Sequence, residues 1–408
     1  MSAAASAVPP PAALPPAAPA AAPDAAAPDA GASPAGAARV VTLVLVSPAG
    51  EVLGAMPPFE VGTPWWQEVS EFGDEGRPVL RLLSVDGRDV TYLAETSAPV
   101  AGLRAVDVDL GPDPRRAPYA EVGGPAASLA WARGVLGPVT AHQQRTWNLS
   151  AIWRLDRGGR TVAWLKQVPS FFGHEPAALR LVDSLAPGLV PPLIAAGPPG
   201  RMLLAHVDGA DRYGGDADLC ARIAEAFHPV QAALADKTDL PEIPDGRIDV
   251  GRVRRVAAPF FGTIDGLAEL VDQLPGRLKA IDECGLPDTL VHGDLHPGNV
   301  RTDESGRLTI MDWGDCTIGH PAVDILRLTE GLDAPEPVIE RWAYRWKQAQ
   351  PGSRPLRAAQ LMRPIAALRF AVTYAAFLDA IEPSEWPYHR DDVPACLSAA
   401  VSASIVKG

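Results

Sequence analysis

The chain has 408 residues, of which 47% are hydrophobic and 21% charged, and its formal net charge is −13 at pH 7. This length is enough for two or three domains with cores of their own. The acidic balance disfavours nucleic acid as a partner, because binding to phosphate backbones draws on clustered cations. It favours a cationic small-molecule substrate by steering. However, the acids are spread along the chain, and acidic proteins are common enough to explain the charge without any substrate.

The first 38 residues are almost wholly Ala, Pro, Gly and Ser. Such a tract cannot bury enough apolar surface to offset the entropy lost on ordering, so we predict a disordered tail over residues 1–38. The tail lacks the basic start and unbroken apolar core of a signal peptide. No later stretch of eighteen apolar residues is free of charge and proline, so no membrane span is expected. The four cysteines lie far apart without metal-ligand spacing, which fits free thiols in a cytoplasmic protein.

Residues 39–125 contain three apolar runs with β-branched character, at positions 40–46, 79–83 and 90–93. Residues 64–69, which include Trp65 and Trp66, read as the start of a helix. We therefore predict an independent small α+β module, with the two tryptophans in its core rather than in a ligand platform. Its opening faintly resembles the first hairpin of Nudix hydrolases. The glutamate-rich metal helix that defines those enzymes is missing, so we expect a noncatalytic module.

Two strand-like runs with a Gly158-Gly159 turn between them come next. The second run ends in Lys166, the only lysine in the first 236 residues. A helix-like stretch begins at Glu175, and residues 202–209 read as a buried strand that runs into a turn.

Helical spacing is found over residues 218–284 and 358–381, and Pro364 is expected to kink or restart the second stretch. Acids in the last third of the chain would be able to present carboxylates to an amine, although each alone is equally explained as a solvated surface acid. These acids are Glu330, Asp333, Asp379, Glu382 and Glu385.

The most informative segment reads His-Gly-Asp-Leu-His-Pro-Gly-Asn over residues 292–299 and Ile-Met-Asp-Trp over residues 310–313. It spaces a carboxylate, an amide and a second carboxylate by five and thirteen residues, at Asp294, Asn299 and Asp312. Phosphoryl transfer needs an oriented alcohol and neutralised charge more than covalent help. We predict Asp294 as the general base, and Asn299 and Asp312 as oxygen ligands of Mg²⁺. The alternative is a polar turn between two strands.

The stretch from Leu290 to Asp324 resembles the aminoglycoside phosphotransferase and choline kinase branch of the protein-kinase-like fold. The resemblance covers roughly residues 140–395. It implies a bilobal α+β fold, with a β-rich small lobe over residues 140–207 and a helical large lobe, carrying the catalytic loop, over residues 208–408. It implies a small-molecule O-phosphotransferase that uses ATP or GTP with Mg²⁺ to phosphorylate an alcohol such as an amino sugar or amino alcohol. A pseudokinase that binds nucleotide without transfer is the alternative, and no feature predicts an oligomeric state.

The same resemblance implies a nucleotide site in the small lobe. Lys166 would bind the phosphates, with Glu175 as its ion-pair partner, although Asp183 is a second candidate for that partner. Asn148 and Ser150 would hydrogen-bond phosphate oxygens from a loop without the usual glycines, since a phosphate cradle needs donors rather than glycines as such. Asn148 is equally explained as a turn residue.

Two further pairs of residues have roles implied by the resemblance. Backbone groups at His206 and Val207 would bind the adenine edge at the hinge between the lobes, and the His206 side chain is assigned no chemistry. His292 and Asp324 are expected to hold the structure of the catalytic loop rather than to react.

Overall fold

A computed structural model describes residues 38–237 and 239–405. The tail predicted over residues 1–38 lies outside the described residues, apart from Ala38. Along the rest of the chain, a front sheet precedes a second sheet, and a helical region follows.

The front sheet comprises five strands. They are β1 (Arg39–Val46), β2 (Val52–Ala55), β3 (Phe59–Val61), β4 (Val79–Asp86) and β5 (Asp89–Glu95). The strand order is β2-β1-β5-β4, β3 also pairs with β1, and β1 runs parallel to β5. Because side chains alternate along a strand, Val41 and Leu43 enter one apolar cluster while Val44 and Val46 enter another on the opposite face. Both faces of β1 are therefore covered.

The helix start predicted at residues 64–69 is wrong, and residues 39–117 contain no helix. The segment forms turns and one isolated bridge, from Glu68 to Arg145. Its carbonyl groups are occupied elsewhere: Trp66 O accepts from Arg39 Nη1 at 3.1 Å and from the Tyr92 hydroxyl at 2.6 Å, and Glu68 O accepts from Arg39 Nη2. These contacts satisfy the carbonyls without a helix and hold the segment in its turns.

The next part of the chain comprises α1 (Gly124–Leu136), β6 (Thr140–Trp147), β7 (Ser150–Arg157), β8 (Arg160–Gln167), α2 (Glu175–Leu185), β9 (Leu193–Gly197) and β10 (Arg201–Ala205). Its five strands form the second sheet, which has the order β6-β7-β8-β10-β9 and is antiparallel throughout. The predicted Gly158-Gly159 turn joins β7 to β8, with φ of +58° and +76°. These values suit glycine in a two-residue hairpin. One face of the sheet packs on α1 through Leu129, Leu155 and Leu165.

The helical region carries short strands that hold the catalytic segment. It contains β11 (Ala210–Asp211), α3 (Ala217–Ala233), α4 (Val250–Ala257), α5 (Leu267–Asp282), β12 (Thr289–Val291), β13 (Val300–Thr302), β14 (Leu308–Ile310), β15 (Thr317–Gly319), α6 (Ala322–Leu328), α7 (Glu336–Ala349), α8 (Pro355–Ala380) and α9 (Asp392–Ile405). The short strands form the sheets β11-β13-β14 and β12-β15. A single apolar cluster joins α2 to α9 and includes the fully buried Trp313.

Helix α8 continues through Pro364, so the predicted restart at this residue is wrong. Pro364 is itself buried, and Ile365, Leu368 and Ala371 beside it are completely buried in the core. This packing offsets the hydrogen bond that proline removes. Among the described residues, α8 is the one helix long and apolar enough to cross a membrane by length and composition. Core helices pass the same test, and α8 packs against α9, α6, α5 and α7.

Candidate active site

Asp324 of α6 holds the loop between β12 and β13 in place through hydrogen bonds. The two carboxylate oxygens of Asp324 accept from His292 N and Gly293 N, each at 3.0 Å, and Gln231 Nε2 donates to Oδ2 at 2.9 Å. Burial raises the pKa of Asp324 to about 6 against the opposing effect of these backbone bonds. His292 Nε2 lies 2.8 Å from Met311 O. Both side chains thus contact backbone groups of the loop or of its neighbouring strand end.

Asp294 lies at the centre of this loop with both oxygens in contact. Its Oδ1 accepts from Arg327 Nε at 2.7 Å, and its Oδ2 accepts from Asn299 Nδ2 at 3.3 Å. His296 Nε2 is 3.6 Å from Oδ2. Burial by itself would raise the pKa of Asp294, but Arg327 and His296 hold it well below its usual range. Asp294 is therefore ionised at neutral pH.

Asn299 and Asp312 occupy adjoining ends of β13 and β14, because Met311 N donates to Asn299 O at 2.8 Å. Asn299 is completely buried, and no described residue donates to its Oδ1. Asp312 takes a φ of +58°, which an aspartate adopts more readily than most residues. An unpartnered amide oxygen beside a carboxylate suits a hard cation such as Mg²⁺, which keeps few protein ligands. The described residues contain no cluster of three or more His, Cys, Asp or Glu that would cage a metal without such help.

Lys166 reaches this carboxylate from the small lobe. Its Nζ is 2.7 Å from Asp312 Oδ1 and 2.8 Å from Glu175 Oε1, and Trp313 N also donates to Glu175 Oε1 at 3.2 Å. Burial by itself would lower the pKa of Lys166, but Asp312 and Glu175 outweigh it and raise the pKa. The competing candidate Asp183 accepts from Gly188 N instead. The structure thus pairs Lys166 with Glu175.

A cleft opens beside Lys166 between the two lobes. Its walls are largely apolar and come from β7, β8, the hinge after β10 and the end of β14. The lining side chains besides Lys166 are Ile152, Trp164, Leu204, Ala205, Val207, Arg301 and Met311. Val207 lines the cleft, whereas the His206 side chain accepts from Trp164 Nε1 through Nδ1 at 3.0 Å. The shape and apolar walls suit a flat aromatic base.

The structure does not bring the Asn148 and Ser150 side chains to this cleft as the sequence led us to expect. Asn148 Oδ1 lies 2.9 Å from His389 Nε2, and its Nδ2 donates to Glu385 at 3.4 Å. Ser150 Oγ accepts from Trp147 Nε1 at 3.1 Å. The physical cause is the packing of Trp147 on residues 388 and 389, which draws the β6–β7 turn toward the end of the chain. The backbone of this turn remains the candidate phosphate contact.

The acids expected to face an amine are largely used for other contacts. Glu385 accepts from Leu82 N of β4 at 2.9 Å, and Glu382 pairs with Arg81 and Arg116 at 3.2 and 2.9 Å. Both therefore join the end of the chain to the front sheet. Glu330 pairs with Arg327, while Asp333 and Asp379 are exposed.

Three charged residues at the site escaped the sequence analysis. Arg327 contacts the base, Arg301 lines the cleft, and Asp315 lies close enough to Asp294 and Asp312 for their charges to act on it. Burial first and these charges second raise the pKa of Asp315 to about 7. The helical spacing of Arg327 from Asp324 was the available signal, since residues three apart share a helix face.

Residues 173–361 match the sequence model of the phosphotransferase enzyme family. The match includes Glu175, the loop between β12 and β13, and Asp312, so the predicted resemblance to phosphotransferases is confirmed over this segment. The description of this family covers phosphotransferases as a class and does not specify the acceptor. The faint Nudix likeness of residues 39–125 finds no support in the comparisons.

Solved structures share the fold at low identity. A choline kinase of Streptococcus pneumoniae is 13% identical, with 68% of this chain and 99% of that one covered and a TM-score of 0.50. A macrolide 2′-phosphotransferase of Brachybacterium faecium is 17% identical over 67% of this chain and 96% of that one, with a TM-score of 0.47. The first confirms the predicted protein-kinase-like fold and nothing beyond the fold.

An uncharacterised protein of Mycobacterium tuberculosis is 43% identical over 63 residues. The match covers 15% of this chain and 12% of that protein. It thus spans about an eighth of the relative's length.

Proposed function

We propose that the protein transfers the γ-phosphate of ATP or GTP to a hydroxyl group of a small molecule, with Mg²⁺ held by Asn299 and Asp312. The observation that carries the proposal is a chain of contacts beside an apolar cleft: Asp294 contacts Asn299, Asp312 contacts Lys166, and Lys166 lines the cleft. Few other reactions need a base, a hard-cation site and a buried lysine at one such cleft.

Asp294 orients the acceptor hydroxyl and accepts its proton. An ionised carboxylate with a low pKa is a weak base, but phosphoryl transfer passes through a loose transition state in which the hydroxyl keeps its proton until late. Orientation is then the larger part of the task. Asn299 and Arg327 fix the carboxylate for that purpose.

Lys166 binds nucleotide phosphate oxygens, and Glu175 keeps its ammonium group in place from α2. Bound Mg²⁺ would neutralise charge on the phosphates. The cleft walls at Ile152, Val207 and Met311 hold the base of the nucleotide and exclude water from one side of the site.

The experiment is an acceptor screen with the purified chain, Mg-ATP or Mg-GTP, and a library of metabolites and antibiotics. Nucleoside diphosphate release that depends on the acceptor, with a phosphomonoester product in the ³¹P spectrum, is the expected result. Asp294→Asn is the control for contaminating kinases and should abolish the signal. If an acceptor is phosphorylated equally by both proteins, Asp294 is not the base.

The second candidate is a pseudokinase in which the nucleotide site is a scaffold. The observation that favours it is the position of Asn148 and Ser150, whose side chains contact other parts of the protein instead of the cleft. A thermal shift with Mg-nucleotide and no phosphorylated product from any acceptor supports this reading. Acceptor-dependent transfer excludes it.

A further inference from the structure

The carboxylate of Asp294, the proposed base, forms an ion pair with the buried side chain of Arg327. Arg327 Nε donates to Asp294 Oδ1 at 2.7 Å, and its Nη1 donates to Glu330. No described residue accepts a hydrogen bond from Arg327 Nη2, and this atom is not sealed in the core, so it is left for a ligand. The Arg327 side chain is only 9% exposed, whereas Glu330 is 65% exposed. Because Glu330 is exposed, solvent screening weakens its ion pair with Arg327.

A second guanidinium lies close by on α8. The central carbons of Arg327 and Arg369 are 5.9 and 5.8 Å from the centre of the Phe370 ring. Arg369 is also buried, and its hydrogen bonds to Gly293 O and Thr317 Oγ1 are long, at 3.3 and 3.4 Å. Both guanidinium groups thus contact the loop that carries Asp294, Arg327 through Asp294 and Arg369 through Gly293.

We propose that the acceptor is a hydroxy acid, an alcohol whose neighbouring carboxylate or phosphate group contacts Arg327, rather than an amine. The inference rests on the proposed transfer reaction and concerns only its acceptor. A guanidinium N–H donates a charge-assisted hydrogen bond to such anions, and Arg327 keeps one terminal nitrogen for this. The acid would approach from the side of α6, with its hydroxyl directed at Asp294.

A cationic acceptor meets repulsion at the same place. Unit charges about 5 Å apart interact strongly enough near a protein surface to change binding by tenfold or more. The net charge of −13 favours cations at long range, but salt screens such steering beyond about 8 Å. Asp294 and Glu330 offset part of the Arg327 charge, so the preference rests on the N–H groups of Arg327 Nη2, from which an anion accepts hydrogen bonds and an ammonium group cannot. The cationic acceptor expected from composition is therefore disfavoured.

The remaining carboxyl groups do not reverse this balance. Glu382 and Glu385 are bound to the front sheet and its neighbours, and Glu330 to Arg327. Asp315 lies near enough to Asp294 for the charge of Asp294 to act on it. Burial together with Asp294 and Asp312 raises its pKa to about 7, so it offers an ammonium group less than a full charge near neutral pH.

Two sets of matched polyols test the proposal. Gluconate, glucitol and glucamine differ only at one terminal carbon, as do glycerate, glycerol and 3-amino-1,2-propanediol. Dissociation constants are measured by titration calorimetry at fixed ionic strength with Mg²⁺ and a nonhydrolysable ATP analogue, and kcat/KM is measured with Mg-ATP. In each set the acid should have a dissociation constant lower, and a kcat/KM higher, than those of the amine by at least about tenfold. The values for the neutral polyol should lie between them.

Arg327→Gln should reduce this preference to less than about threefold by removing the charge, whereas Arg327→Lys should retain most of it. Arg341→Gln, at a side chain 61% exposed on α7, is the matched control and should change nothing. Preference for the amine, or a preference for the acid that survives Arg327→Gln, would overturn the proposal. If amines are phosphorylated best in an Asp294-dependent reaction, only the acceptor class is wrong. If neither set nor the library is phosphorylated, the proposed function fails instead, and the order of dissociation constants still tests Arg327.

Discussion

Lys166 is the residue on which the two lobes converge, since it contacts Glu175 of its own lobe and Asp312 of the other. Replacing it by Met leaves the buried Glu175 and the partly buried Asp312 without their cation. Loss of one partner of a buried ion pair typically costs about 3–5 kcal/mol. We expect Lys166→Met to lower the free energy of unfolding by about this amount and to raise the KM for nucleotide. Denaturant titration measures the first effect, with Lys279→Met at an exposed position of α5 as the control. An unchanged unfolding curve would show that the pairing is not formed in solution.

His320 is a half-buried histidine whose protonation opposes folding. Its Nδ1 accepts from Ala322 N at 3.2 Å, no described residue contacts its Nε2, and burial lowers its pKa to about 4. Between pH 6.5 and 4 the unfolded chain binds a proton that the folded chain does not, so the free energy of unfolding falls with pH. The loss is on the order of 3 kcal/mol.

Asn at position 320 keeps an acceptor for Ala322 N without a titrating group. His320→Asn should therefore lose less stability than the unchanged protein when urea titrations are repeated from pH 7.5 down to pH 4.5. Parallel losses in the two proteins would show that His320 does not titrate as the structure indicates.

Among single residues, Asp294, Asn299 and Asp312 could be predicted because a short motif carries them and the surrounding β12, β13 and β14 are local. Arg327 could not. Its contact with Asp294 spans 33 positions and depends on how α6 packs beneath the loop. Its spacing from Asp324 indicates a shared helix face but not the contact with Asp294.

At the scale of elements, the 3-10 helix Pro383–Tyr388 joins parts that are distant in sequence. Its Glu385 accepts from Leu82 N of β4 and from Asn148 of the β6–β7 turn. Glu385→Ala leaves both donors unpaired in the interior. Each buried unpaired donor costs about 1–3 kcal/mol, so we expect a loss of about 3 kcal/mol in the free energy of unfolding.

Glu385→Gln is the matched variant, since an amide oxygen still accepts from Leu82 N. Burial raises the pKa of Glu385 to about 8, which means that the folded chain retains a proton that the unfolded chain releases above pH 4.5. This group's contribution to stability therefore decreases as the pH rises to 8, and Glu385→Gln should remove that decrease. Equal instability of the Ala and Gln variants at pH 7 would contradict the assigned contacts.

Elements were predictable where the local pattern and the packing agree. The β-branched runs at 40–46, 79–83 and 90–93 form strands because both faces of the front sheet find apolar neighbours. The helix expected at residues 64–69 fails because Arg39 and Tyr92 bind its carbonyls. That competition comes from side chains 24 or more positions away.

At the scale of the whole molecule, the front sheet shares its core with both lobes. Trp147 of β6 and Tyr388 near the end of the chain belong to the same apolar cluster as Val41, Phe72 and Tyr92. We expect that residues 122–408 alone would expose both aromatic side chains. Burial of each contributes about 2–3 kcal/mol, which corresponds to a Tm lower by roughly 10 °C or more.

Thermal unfolding of residues 122–408 and of residues 38–408 tests this expectation. Matching Tm values would show that the front sheet is an independent module, as the sequence alone led us to predict. The sequence could indicate the two lobes, because each has its own pattern. It could not indicate the contact between the helical lobe and the front sheet, since Glu385 and Leu82 are 303 positions apart.

The most direct test of the central claim is the rate of γ-phosphate transfer by Asp294→Asn to an acceptor found in the screen, with Mg-nucleotide affinity measured on the same sample. We predict that kcat falls by about 10²- to 10⁴-fold while the nucleotide dissociation constant changes by less than about threefold. A variant that retains full turnover would contradict the assignment of Asp294, Asn299 and Asp312 as a phosphotransfer site.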